Sequence, residues 1–82
     1  MADYKKEMGI RLKKRRKEIS MTQEQLSDQL NISIKHYSEV ERGITGLSIE
    51  NIIKISNVLG ISIVYILKGE REKEVFPQEM IT

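Results

Sequence analysis

Residues 22–43 read TQEQLSDQLNISIKHYSEVERG, and two helices joined by a tight turn account for the order of residue types in it. Thr22, with Gln25 three positions later, has the pattern of a capping box. Leu26 and Leu30, four apart, give the helix that follows one apolar face. Asn31 tolerates the left-handed backbone that closes a helix, Ser33 supplies a new N-cap, and Gly43 is a strong stop. Between those last two signals Tyr37 and Val40 fall at helical spacing amid mostly polar and charged neighbours. The second helix is therefore held by a thin apolar seam and shows Lys35, His36 and Glu39 to the outside.

Two short helices joined by a turn such as NIS form a helix-turn-helix, a unit whose second helix can lie in the major groove of DNA. Leu26, Leu30, Ile32, Tyr37 and Val40 supply the contacts between the two. Ser27, small and central in the first helix, suits a close crossing. The outward face of the second is then Ser33, Ile34, Lys35, Ser38, Glu39 and Arg42.

Working outward, Tyr4, Met8, Leu12 and Ile19 make one stripe of an N-terminal helix whose remaining positions are strongly basic. After the ITGL loop, Ser48 caps a fourth helix. Ile49, Ile52, Ile53, Ile55 and Leu59 spread so widely around it that it is expected at the buried centre. Gly60 ends it, and Ser62 caps a fifth helix carrying Ile63, Ile66 and Leu67 and stopping near Gly69. ISIVYIL has strand propensity, but a lone strand has no partner to pair with, so helix is expected there too. Five helices with connections of two to five residues predict an all-α class: a compact five-helix bundle over residues 1–69. Residues 70–82 read as a charged tail, disordered or part of an interface.

Composition narrows the function. Eighty-two residues make one domain. The chain has no cysteine, which excludes disulfides and thiolate metal sites. It has no apolar run of membrane-spanning length and no secretory leader, so a cytoplasmic location is expected. With one histidine, no phosphate-cradling glycine loop and no convergent carboxylates, neither catalysis nor a cofactor is expected. His36 has no second ligand at helical spacing, so no metal is expected. The net charge of +2 is uneven: residues 1–17 hold eight Lys/Arg against Asp3 and Glu7, a local +6. Such a block suits a polyanion such as a nucleic-acid backbone, although KKRRK falls inside the first helix.

The run TQEQLSDQLNISIKHYSEVERG, followed by SIENIIKISNVLGISIVYIL, resembles the phage repressor/Cro-like helix-turn-helix family, also called the XRE family, over about residues 8–69. The resemblance implies a five-helix, repressor-like fold and a sequence-specific DNA-binding regulator. Such a regulator would be a repressor acting as a homodimer on a palindromic operator of double-stranded DNA. It implies that Ser33, Ile34, Lys35 and Glu39 read bases. Thr22 and Gln23 would sit at a phosphate beside a helix N-terminus, with His36, Ser38 and Arg42 near the backbone. Arg16 and Glu41 match a salt bridge that ties the first helix to the third.

Departures from the family pattern qualify these roles. Ile34 replaces a polar reader and suits a thymine methyl; Glu39 can accept from cytosine N4 or repel phosphate. Arg15 takes a commonly apolar position, where its stem can cover core while its head reaches solvent or phosphate. Leu47 stands where proline is usual, and ITG lacks basic residues, so modest nonspecific affinity is expected. The apolar excess of the fifth helix points to a dimer interface at Ile63, Tyr65 and Ile66, which Val75, Phe76, Met80 and Ile81 could extend. The competing reading is a protein-interaction module of the same fold, an antitoxin-type partner. No membrane partner or small-molecule effector is indicated.

Overall fold

The computed structural model describes residues 3–69. Within them run α1 (Tyr4–Glu18), α2 (Gln23–Leu30), α3 (Ile34–Glu41), α4 (Ile49–Leu59) and α5 (Ile63–Lys68). The predicted helices are all present, and no strand lies among the described residues. The expected roles of Val75, Phe76, Met80 and Ile81 lie outside the described residues.

Each helix begins where a short polar side chain can satisfy an orphan amide. Asp3 accepts from the Lys5 amide, Ser33 from His36, Ser48 from Asn51 and Ser62 from Tyr65. Thr22 and Gln25 form the full reciprocal capping box, with bonds of 2.9 and 3.0 Å. Asn31 closes α2 in the left-handed region at φ 58°, as its short amide side chain allows.

The core is aliphatic apart from Tyr37. Met8 and Leu12 of α1, Leu26 and Leu30 of α2, Tyr37 and Val40 of α3, Ile52, Ile55 and Leu59 of α4, and Ile66 of α5 pack with Leu47 into one cluster. Helix α1 lies against α3 and α5, α2 lies against α3 and α4, and α4 meets α5. The first helix thus joins the helix-turn-helix pair to the last helix. It packs tightly against α3 at Gly9. A Cβ there would stand 2.5 Å from the Glu41 carbonyl oxygen, a distance no side chain tolerates.

Three expectations are corrected. Helix α4 is not buried all round: Ile52, Ile55 and Leu59 face the core, but Ile49 is 75% and Ile53 48% exposed. Isoleucine on most of a helix's circumference marked it as central, whereas one face of α4 is left open to solvent. Second, Tyr4 is an exposed residue at the start of α1. Third, the α3–α4 connection, residues 42–48, is longer than two to five; it folds back far enough to bury Leu47.

Candidate nucleic-acid interface

Helix α3 rests on α2 through the buried Tyr37 and Val40, and its opposite side is open. Ser33, Ile34, Lys35 and Arg42 are exposed, while His36, Ser38 and Glu39 are half-buried. The four base-reading candidates and the three flanking ones thus share one short helix and its two caps. Ile34 is 47% exposed, apolar area with no core to enter. Lys35 extends freely, its side chain 87% exposed, and its ammonium stands 3.9 Å from Glu39 Oε2 one turn on. A pair so exposed contributes little; Lys35 is free to leave it. Ser33 Oγ accepts from the His36 amide at 3.0 Å, so this hydroxyl oxygen already serves the helix. Arg42 is the C-cap residue of α3, its amide bonded to the Ser38 carbonyl.

The N-terminus of α2 lies beside the C-terminal end of this helix. Thr22 carries both halves of the capping box, its Oγ1 accepting and its amide donating. Gln23 is half-buried, and its Nε2 donates to Glu41 Oε1 at 2.9 Å. The amides of the first turn have no intrahelical acceptor and carry the positive end of the helix dipole. That end suits an anion.

Behind these two helices sits a buried polar cluster. Arg16 grips Glu41 with Nε on Oε2 at 2.6 Å and Nη2 on Oε1 at 3.1 Å, a bidentate pair. Its Nη1 donates to the Met21 carbonyl at 2.8 Å, which ties in the turn before α2. Burial alone would raise the Glu41 pKa, but donors led by Arg16 and including Gln23 outweigh it and hold the carboxyl below its ordinary value. The hydrogen bond to Glu41, against burial, raises the Arg16 pKa in turn. Burial, then the neighbouring Glu41 carboxylate, pushes the Tyr37 hydroxyl well up. That hydroxyl faces the cluster without closing a hydrogen bond of good geometry.

Sequence reasoning missed several of these placements. The Arg15 head, its side chain 35% exposed, is also engaged: its Nε donates to the Leu59 carbonyl at 2.8 Å and its Nη1 pairs with Glu18 at 3.2 Å. Arg11 Nη1 donates to the Ile66 carbonyl at 3.0 Å. Their spacing of one turn was the available signal. On α5, Ile63 is exposed and Tyr65 half-buried, but Ile66 is fully buried. Ile66 is therefore a core residue and not part of an outer face. Its register, four residues after the Ser62 cap, turns it toward α1 and α4.

Two helices at this turn, the second held by a narrow seam and open on its far side, define a helix-turn-helix domain. The family model described as helix-turn-helix matches residues 12–66, and the chain belongs to that family, in its XRE branch. It is 40% identical over 68 residues to YqaE of Bacillus subtilis, an uncharacterized HTH-type transcriptional regulator, covering 83% of this chain and 59% of YqaE. It is 42% identical over 53 residues to the CTXphi transcriptional repressor RstR of Vibrio cholerae, covering 65% of this chain and 47% of RstR. The chain thus spans about half to three fifths of these two relatives. Among solved structures it is similar to the P22 c2 repressor bound to a synthetic operator. That match has a TM-score of 0.73 and 35% identity, covering 77% of this chain and 96% of that one. The controller protein C.AhdI of Aeromonas hydrophila is also similar, with a TM-score of 0.71 and 26% identity, covering 80% of this chain and 99% of C.AhdI.

Proposed function

We propose that this protein is a sequence-specific DNA-binding transcriptional regulator, a repressor that binds a palindromic operator as a homodimer. The observation that carries the reading is the open face of α3, which holds Ser33, Ile34, Lys35 and Glu39, with the α2 N-terminus beside the helix's C-terminal end. Laid in a major groove, Lys35 donates to guanine O6 and N7, and Ile34 covers a thymine methyl. Glu39 accepts from cytosine N4 once Lys35 has left it. Gln23 and the first-turn amides of α2 meet a phosphate, with Thr22 beside them. Arg42, His36 and Ser38 flank the groove. Two copies related by a two-fold axis set their α3 helices about 34 Å apart, one turn of DNA. The similarity to an operator-bound repressor and to RstR supports this reading.

Selection of bound duplexes from a random pool tests it. A palindromic consensus with half-sites about 10 base pairs apart is expected. Absence of binding to any duplex at low salt would leave the protein-interaction reading in its place.

A further inference from the structure

Gln23 opens α2, yet its side chain reaches across to the end of α3, where Nε2 donates to Glu41 Oε1 at 2.9 Å. A carboxylate only accepts, so this bond decides which end of the Gln23 amide turns to α3: the nitrogen, not the oxygen. That nitrogen carries two N–H groups, and Glu41 engages one of them. Glu41 is itself fixed. Arg16 holds both of its oxygens and at the same time the Met21 carbonyl. The bonds therefore run from Met21 through Arg16 and Glu41 to Gln23, starting just before the Thr22 cap and ending just after it.

We infer that Glu41 is a positioning residue for DNA binding, aiming the second N–H of Gln23 at a phosphate oxygen beside the α2 N-terminus. The inference rests on the DNA-binding reading above. An unrestrained glutamine loses rotamer freedom on forming such a contact and can also turn its oxygen toward the anion. Anchoring the amide in the free protein removes both costs. The Arg16–Glu41 pair then has two tasks, tying α1 to α3 and orienting the residue that docks the domain.

The test compares two variants that both lack the ion pair, so that only the acceptor for Gln23 differs. R16M/E41Q keeps a carbonyl oxygen at position 41, and R16M/E41L has none. Each is measured with and without Gln23→Ala, on random-sequence duplex at low salt and on the duplex selected by wild type. R16M/E41Q is expected to bind roughly three- to tenfold tighter than R16M/E41L. Gln23→Ala is expected to remove that advantage, costing R16M/E41Q roughly three- to tenfold more affinity than it costs R16M/E41L. An equal effect of Gln23→Ala in both backgrounds would overturn the inference while leaving DNA binding intact. A wild-type protein that binds no duplex would instead sink the reading beneath it. Should the paired variants fail to fold, NMR relaxation of the Gln23 side-chain amide in wild type decides. A rigid amide before DNA is added is expected, and a freely rotating one refutes the positioning role.

Discussion

Arg15 Nε donates to the Leu59 carbonyl at 2.8 Å, so the first helix caps the last turn of the fourth. One turn earlier, Arg11 donates to the Ile66 carbonyl near the end of α5. The final carbonyls of a helix have no intrahelical donor and carry its negative end. Two guanidinium groups from one helix thus complete two others, and α1 joins α4 and α5 by polar bonds as well as by its apolar stripe.

Replacing Arg15 by Met keeps the stem and removes those donors. The expected cost is about 1 kcal/mol, roughly 4–8 °C in Tm for a domain of this size. Thermal unfolding followed by circular dichroism measures it. DNA affinity at a temperature where both proteins are folded should not change, because Arg15 faces α4 and not α3.

The Arg16–Glu41 pair is buried, so removing one partner strands the other. Glu41→Ala is expected to cost about 3–5 kcal/mol, a large share of the stability of so small a domain. R16M/E41L should be much closer to wild type, since two apolar side chains leave no unpaired charge. Urea denaturation of the singles and the double gives the coupling. A double variant as unstable as the sum of the singles would show that the two side chains do not act as a pair.

The same pair sets an acid limit. Folding lowers the Glu41 pKa from its ordinary 4.5, so the native state binds fewer protons than the unfolded one in that range. Its stabilisation is complete above about 4.5 and fades as pH falls through the lower, folded value. Unfolding free energy measured from pH 6 downward should drop more steeply in wild type than in R16M/E41L. Parallel curves would mean that Glu41 contributes nothing to the acid limb.

Much of this was readable before any coordinates, because the signals were local. Thr22–Gln25, Asn31, Ser33 and Gly60 each act on their own turn of chain, and the helix boundaries follow them. What escaped depends on distant partners. Gln23 gave no sign that it reaches Glu41 eighteen residues away, nor Arg15 that it ends on Leu59. The isoleucines of α4 misled for a related reason: periodicity shows which positions are apolar, not how many sides of a helix are covered. Ile66 was placed outside by counting apolar residues on α5, when the direction of its own side chain put it inside.

Lys35 is the side chain on α3 with the most freedom and the best chemistry for guanine. Lys35→Ala is expected to relax preference at one operator position by about 1–3 kcal/mol and to leave the other positions unchanged. Competition binding against duplexes substituted one base pair at a time reads this directly. A uniform loss across all of them would reassign Lys35 to the phosphate backbone.

The proposed dimer face must lie on the part of α5 that the bundle leaves open. Ile63 is exposed at the start of that helix and Ile66 is fully buried three residues later, so the two report on different things. Ile63→Asp should keep the helical circular dichroism spectrum and shift the sedimentation coefficient from dimer toward monomer. Ile66→Asp places an unpaired carboxylate in the apolar core where α5 meets α1 and α4 and should unfold the domain. If the Ile63 variant sediments as wild type does, self-association has to use another surface, and the open Ile49–Ile53 side of α4 is the next apolar face to alter.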